Sequence, residues 1–446
     1  MYLVAGLGIT GQSVLRYLQL TGESALAFDT RENFDLTSLM DSFPQVKFAK
    51  GDIPTPWKKQ ISTVVLSPGI SVREPWVQKL QANGAQIIGD IELFARAVGV
   101  PVVALTGSNG KSTVTTMVAD VLAEAGYQVA MGGNIGFPAL DLLNDDNEYD
   151  VYVLELSSFQ LETTYSLHTA SSALLNISED HMDRYDDMNA YLQAKLNVFN
   201  DTKLAICPTS LECESLATKE NHRFGLGKPQ RCGDYGVLHT HFGPFLAKGS
   251  VPLVAVEAMR LQGTHHQLNA LATMALCEPF KVPPSVFNKV FANFKGLPFR
   301  TEEILQHRGI RWVNDSKGTN VGATLTALES IGSTTENTPG RLILIAGGVG
   351  KNAEFEALSP AIDRFCSTLI LFGEDRQIIA DALELKTAQM TLLNTLLESI
   401  ELAIQSAKEG DVVLFSPACA SFDQFDNYVH RGEMFTKWVY ESLQLA

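Results

Sequence analysis

Residues 106 to 113 read Thr-Gly-Ser-Asn-Gly-Lys-Ser-Thr, placing two glycines, a lysine and several hydroxyls in one short stretch. An apolar run, Val102 to Leu105, leads into it. Apolar residues at Val114, Met117, Val118, Val121, Leu122 and Ala125 then recur at helical spacing, and Gly126 is placed to end that helix. A glycine turn between a strand and a helix start aims backbone N–H groups and the positive end of the helix dipole at one point. Here Gly107, Ser108, Asn109 and Gly110 would supply the N–H groups, Lys111 a full charge, and Ser112 or Thr113 a hydroxyl for magnesium. Such a turn seats a nucleotide triphosphate. The general phosphate-loop pattern has its first glycine where this chain has Leu105, so only its second half is met.

Other residues are placed to serve the same chemistry. The run Tyr149 to Leu154 has the apolar continuity of a buried strand and ends on Glu155, and an acid there, beside a phosphate seat, can hold magnesium against phosphate oxygens. His181 follows the strand Ala173 to Ile177, a position that favours a ligand role over a merely solvated one. Lys195 lies on the helix Met188 to Phe199 among Tyr191, Leu192 and Val198, where periodicity alone reads a snorkelling surface lysine.

A second glycine pattern opens the chain. Gly6, Gly8 and Gly11 fit G-x-G-x-x-G after a strand and before a helix, and Asp29 ends the next strand near the separation expected of a ribose-binding acid. Only about ninety residues precede the next nucleotide motif, too few for a two-half dinucleotide domain, so a nucleotide-diphosphate pocket is favoured over an NAD site. Gly69, in the turn after Val64 to Leu66, could add backbone N–H groups to that pocket or be a plain turn.

The elements around these residues alternate. Residues 201 to 262 read as short strands between Gly/Pro turns and say little about chemistry, and Gly263 to Asn269 opens an alanine- and leucine-rich helix. Beyond the punctuation at Gly296 to Arg300, strands at Ile310 to Val313, Leu342 to Ala346, Thr368 to Phe372 and Val412 to Phe415 alternate with helices, which implies a parallel sheet covered on both faces. The polar turns at 314 to 320, 347 to 351, 373 to 376 and 416 to 425 then share the sheet's carboxyl edge, the expected ligand crevice.

At 446 residues the chain is long enough for about three domains. Acidic residues outnumber basic ones, 50 to 34, for a net charge of -16, which disfavours nucleic acid or an anionic membrane as partner. Cys207, Cys213, Cys232, Cys277, Cys366 and Cys419 include no Cys-x-x-Cys pair, so reduced thiols are expected rather than a zinc site or disulfide framework. The chain enters a strand at once, without a basic leader, and no apolar run approaches the length of a membrane span; a cytoplasmic protein is expected.

On these motifs the chain resembles the Mur ligase family over its whole length. The family's general signatures stand at 106 to 112, at Glu155 with Ser157-Ser158, and at Glu179-Asp180-His181; residues 156 to 162, 314 to 320 and 416 to 425 resemble its D-glutamate-adding branch. The resemblance implies an α/β protein of three domains: an N-terminal Rossmann-like one (1–89), a central P-loop ATPase with a mostly parallel sheet (90–296) and a C-terminal Rossmann-like one (297–446). It implies ATP-dependent addition of D-glutamate to UDP-N-acetylmuramoyl-L-alanine through an acyl phosphate, releasing ADP and phosphate, in peptidoglycan precursor synthesis. ATP and two magnesium ions would serve it, with Ser112, Glu155, His181 and a carbamylated Lys195 as metal ligands. Ile9, Thr10, Asp29, Thr30, Arg31 and Gly69 match UDP contacts, and Asn134 and Ser157 contacts to the rest of that substrate. Gly107 to Thr113, Asn269, Arg300, Asp315 and Lys317 match the ATP site, and Lys317, Thr319, Lys351, Ser421 and Phe422 the D-glutamate pocket. Its partners would be small molecules, with no nucleic acid, no membrane insertion and a monomeric state; closure is expected about linkers near Asp90 and Leu297. The chain departs from the family at His266, Phe299 and Val349, the first two bearing on adenine contacts and the third on the turn that holds Lys351.

Overall fold

The computed structural model describes residues 1–144, 147–212, 220–335, 340–351 and 353–445. These form two compact units. The first comprises Met1–Asn176, Asn189–Gln262 and Gln267–Phe294, the second Ile177–Met188, Gly263–His266 and Lys295–Ala446.

The first unit carries two main sheets. One is the parallel set β1 (Tyr2–Ala5), β2 (Ala25–Asp29), β3 (Lys47–Lys50), β4 (Thr63–Leu66) and β5 (Gln86–Ile88), in the order β3-β2-β1-β4-β5. The chain steps outward from β1 to β3, then returns to add β4 on the other side. The switch point therefore falls between β1 and β4, where the Gly6 and Gly69 turns lie. Successive residues of these strands feed opposite faces: Val4, Ala27, Val65 and Ile88 enter one core, Leu3, Leu26, Val64 and Ile87 the other.

The second sheet contains β6 (Val102–Thr106), β7 (Val129–Gly133), β8 (Val151–Glu155), β10 (Ser171–Leu174), β12 (Ala205–Pro208), β13 (Asn221–Phe224), β14 (Tyr235–Thr240), β15 (Gly243–Lys248) and β16 (Val251–Ala255); β9 (His168–Thr169) and β11 (Asp201–Thr202) pair separately. Its order is β16-β15-β14-β13-β12-β10-β6-β8-β7, with β15 antiparallel to both β14 and β16. β6 lies between β8 and β10, so the turn that follows it opens at this sheet's own switch point.

The stretch joining the two sheets, near which closure is expected from sequence, is hydrogen-bonded within this unit. Gly89 N donates to Thr163 O at 3.0 Å. On the helix Asp90–Ala97 that follows, the buried Glu92 carboxylate accepts from Tyr165 N (2.7 Å), Ser166 N (2.9 Å) and Ser166 Oγ (2.8 Å). Burial opposes its charge, but these bonds and one from Arg96 hold the carboxyl below the usual range. Asp90 is buried too, and burial pushes it up to about 6.

The second unit is built on β17 (Glu302–His307), β18 (Ile310–Asn314), β19 (Leu342–Gly347), β20 (Cys366–Phe372), β21 (Gln389–Leu392) and β22 (Val412–Phe415), in the order β17-β18-β22-β19-β20-β21, antiparallel only at β17–β18. Leu344, Leu371 and Leu414 enter one core and Ile345, Phe372 and Phe415 the other, which is why each strand reads as an unbroken apolar run. Among the described residues Cys207, Cys232, Cys277, Cys366 and Cys419 are free thiols, while Cys213 lies outside them. No helix among the described residues is long and apolar enough to cross a membrane.

Candidate active site

In the first unit β6 runs into the glycine turn, and the helix Lys111–Glu124 begins directly after it. Gly110 caps that helix at φ +79°, and a side chain there would come within 2.9 Å of Asn269 Oδ1, so glycine is required and Asn269 abuts the turn. Asn176, just past β10, holds the turn from the other side: Asn109 N donates to its Oδ1 (2.8 Å), and its Nδ2 donates to Asn109 O (2.9 Å). The sequence offered no sign of this role.

Two ammonium groups converge here. Lys111 Nζ donates to Gly107 O (2.8 Å) and Ser108 O (2.9 Å), and Lys195 Nζ donates to the same Gly107 O (2.9 Å). Lys195 is buried, its Nζ 4.6 Å from the centre of the Tyr191 ring, and Tyr191 Oη lies 3.3 Å from Ser108 Oγ. The surface position suggested by periodicity is therefore corrected: the end of β6 covers this side chain.

Glu155 ends β8 and is buried. Its Oε1 accepts from Asn134 Nδ2 (2.8 Å), while its Oε2 has no hydrogen-bond partner among the described residues. A buried carboxylate oxygen without a donor is costly unless a cation supplies the missing charge. Among the described residues no cluster of three or more His, Cys, Asp and Glu could hold a metal ion by itself. A cation at Glu155 would draw its remaining ligands from hydroxyls such as that of the buried Ser112 and from phosphate oxygens, the donor set magnesium favours. Thr113 is buried beside Ser112, and Ser157 caps the helix Ser158–Leu161 in a capping box with Gln160.

At the first sheet's switch point Asp29 is buried. It accepts from Leu7 N (2.9 Å), Arg31 N (3.0 Å), Arg31 Nε (2.8 Å) and Arg31 Nη2 (2.8 Å). Burial raises its pKa, but the bonds from Arg31 and Leu7 outweigh that and hold the carboxyl below the usual range. Ile9, Thr30 and Gly69 are exposed around it and Thr10 is half-buried.

In the second unit the expected turns do share the carboxyl edge of the sheet. Asp315 N donates to Phe415 O (2.7 Å), and the Asp315 carboxylate accepts from Ser416 Oγ (2.7 Å) and Thr301 N (3.0 Å). Burial nevertheless pushes Asp315 up to about 7. Lys317 Nζ stands 4.0 Å over the Tyr428 ring, and Arg300 is half-buried. Lys351 Nζ pairs with Asp180 Oδ1 (3.2 Å), whose other oxygen accepts from Asn320 Nδ2 (3.2 Å). His181, at φ +59°, and Thr319 line a small cavity with these groups. Ser421 is buried and Phe422 is 73% exposed. The departures are local. His265 and His266 are kept neutral by burial, at about 4 and about 3. The Phe299 carbonyl accepts from Lys317 N (3.0 Å), and Val349 exchanges backbone bonds with Ala420.

Arg431, which carried no expectation, is completely buried. Its Nε donates to Ser316 Oγ (3.1 Å), Nη2 to Ser316 O (2.8 Å) and Nη1 to Cys419 O (3.0 Å), tying the turn at 314 to 320 to that at 416 to 425. Burial lowers its pKa to about 10. Arg431, Phe435 and Val439 are buried at one helical spacing, so an arginine within an apolar stripe was the available signal.

Family models described as a Mur ligase MurD-like N-terminal domain, a Mur ligase middle domain and a Mur ligase glutamate ligase domain match residues 1–89, 105–277 and 299–419. A UDP-N-acetylmuramoylalanine--D-glutamate ligase of Hydrogenovibrio crunogenus is 55% identical over 442 residues, covering 98% of this chain and 97% of the relative. One of the same name from Legionella pneumophila (strain Paris) is 40% identical over 453 residues, covering 98% of each. A MurF ligase from Thermotoga maritima, solved in complex with ADP, shares the fold with a TM-score of 0.62 at 16% identity, covering 99% of this chain and 95% of its own. With a phosphate-type turn, an acid-ended strand and a carboxyl-edge pocket on sheets of this topology, and with relatives matched from end to end, the chain belongs to the Mur ligase family.

Proposed function

We propose that this protein is an ATP-dependent amide ligase that adds D-glutamate to UDP-N-acetylmuramoyl-L-alanine in peptidoglycan precursor synthesis. The observation that carries the reading is the buried Glu155, with one oxygen unpartnered at the end of the strand beside the Lys111 turn. The identity of the amino acid rests on the curated relatives, which match the chain end to end.

The muramoyl-alanine carboxylate attacks the γ-phosphorus of ATP and expels ADP. The D-glutamate amine then adds to the acyl carbon of the resulting acyl phosphate, loses a proton and displaces phosphate. Ile9, Thr10, Asp29, Thr30, Arg31 and Gly69 hold the UDP end, and Asn134 and Ser157 orient the arm that carries the carboxylate. Lys111 offsets charge on the transferring phosphoryl group, with the N–H groups of residues 107 to 113 around it. Asn269, Arg300, Asp315 and Lys317 contact the nucleotide; Lys317, Thr319, Lys351, Ser421 and Phe422 bind D-glutamate. Two magnesium ions, when bound, neutralise phosphate oxygens; Ser112, Glu155, His181 and a carbamylated Lys195 would hold them. Lys111 and Lys195 share the Gly107 carbonyl as acceptor, so a carbamate on Lys195 would set an anion close to the Lys111 ammonium. The domains divide at 89/90 and 296/297, and the enzyme works as a cytoplasmic monomer.

Phosphate release from ATP and magnesium with UDP-N-acetylmuramoyl-L-alanine tests the reading when D-glutamate, L-glutamate, L-lysine and diaminopimelate are offered in turn. Turnover with D-glutamate alone is expected, and turnover with a diamino acid instead would overturn the assignment of residues 314 to 320 and 416 to 425. Carbon-13 NMR after incubation with labelled bicarbonate should show a carbamate signal that is missing from K195A.

A further inference from the structure

Between β7 and the helix Ala139–Leu143 the chain makes a tight turn against the end of β8. Gly133 N donates to Phe137 O (3.0 Å), Asn134 N donates to Glu155 O (2.8 Å), and Gly132 bridges to Phe137. Gly133 has φ +98°, and a side chain there would meet Glu155 O at 2.4 Å, so the turn lies directly on the backbone of the acid that ends the strand. Pro138 follows at φ -53° and fixes the exit. The backbone of Phe137 is thus held on both sides, yet its ring is 68% exposed. The ring is therefore exposed on a hydrogen-bonded turn that rests on the end of the strand carrying Glu155, which places an apolar group within reach of whatever binds beside that acid.

Ile9 offers a similar exposed apolar side chain at the start of the helix Ile9–Leu20. Arg16 of that helix clamps Asp141 of the helix Ala139–Leu143 with two bonds, Nε to Oδ1 (3.0 Å) and Nη2 to Oδ2 (2.7 Å). The two elements that begin near these side chains are therefore neighbours joined by an ion pair.

We infer that Phe137 packs against the methyl-bearing lactyl-alanyl arm of the acyl substrate and sets specificity for it. This rests on the ligase reading above. The reacting carboxylate must lie beside the phosphate seat and Glu155, and the arm behind it alternates amide groups with a lactyl and an alanyl methyl. The turn presents a matching pair, the Asn134 amide bonded to Glu155 and the Phe137 ring three residues on.

Steady-state kinetics on wild type, F137A and F137L with the alanyl substrate and its glycyl analogue tests the assignment. F137A should raise KM for the UDP substrate about tenfold, the loss expected when a good apolar contact is removed. Its kcat and its KM values for ATP and D-glutamate should stay within about twofold. The wild-type preference for alanyl over glycyl should shrink in F137A and survive in F137L. An unchanged KM and preference would overturn the assignment, as would a lower kcat accompanied by a lower melting temperature, which marks a structural role. Calorimetric binding of the UDP substrate needs no turnover and separates the two readings. A wild type that binds it more tightly than F137A but does not ligate D-glutamate keeps the contact and loses the reaction, and one that does not bind it at all overturns both.

Discussion

The turn after β1 and the turn after β6 each follow a buried strand at a switch point, contain glycines and lead into a helix, yet they place opposite charges inside. After β1 the Leu7 N–H is already bonded to the buried Asp29 carboxylate, which Arg31 keeps ionised from its outer side. After β6 two lysines crowd one carbonyl, and the acid on the neighbouring strand has an oxygen unpartnered. In the first turn a buried acid takes up a backbone N–H; beside the second, one oxygen of a buried acid has no donor among the described residues. A glycine pattern describes the backbone path, and what the path can hold is decided by a side chain delivered from another strand or helix.

The comparison can be tested at several points. Lys111→Ala should reduce ligation by about 10²- to 10³-fold, the loss found when one donor to a developing charge is removed, while calorimetric binding of the UDP substrate is unchanged. Weaker UDP binding in that variant would mean that the two turns do not act separately. Glu155→Gln should cost about 10²-fold in rate without lowering the melting temperature, because it replaces a buried carboxylate one of whose oxygens has no donor among the described residues and keeps an oxygen for Asn134. A large fall in melting temperature would show that the unpartnered oxygen is satisfied after all.

At the first turn the expected effects are on stability. Asp29→Asn should cost about 1–2 kcal/mol in urea titration, since the buried carboxylate serves the buried Leu7 N–H and three donors of the exposed Arg31. The folded-state pKa of Asp29 lies below its unfolded value, so its contribution is present above pH ~4 and is lost as pH falls through the folded value; D29N should lose that acid-side slope. The smallest pair of effects separates the glycines. A side chain at Gly11 would meet Gly6 O at 1.9 Å, whereas one at Gly8 has no atom within 4 Å. Gly11→Ala should destabilise by about 1–3 kcal/mol and Gly8→Ala by less than about 0.5 kcal/mol. A Gly8→Ala variant with intact stability and weakened UDP-substrate binding would show that a ligand approaches the backbone there.

Much of this was legible in the sequence. Strands with apolar residues on both faces, the helix after Lys111, the glycine turns and Glu155 at a strand end all follow from local pattern, and so do the four polar turns on one edge of the last sheet. What the sequence hid depends on distant partners. Lys195 reads as a surface residue because its helix gives no hint that Thr106 and Gly107 will cover it. Asn176 looks like one more strand residue until its amide is seen clamping Asn109. Arg431 does not stand out in the sequence because its partners are mostly backbone carbonyls, which any sequence supplies. Residues 201 to 262 looked uninformative because their short strands take meaning only as the extension of a sheet begun a hundred residues earlier.

The Glu92 clamp has a consequence in effective concentration. Because that carboxylate binds the backbone at 165 and 166, and Gly89 bonds to Thr163, the first sheet is joined to the sheet carrying the Lys111 turn by hydrogen bonds as well as by the covalent chain. A substrate gripped at one end by the first sheet would present its other end to the second over a narrow range of positions, and the entropy of bringing them together would already be spent when the chain folds. Such pre-positioning can be worth several orders of magnitude in effective molarity.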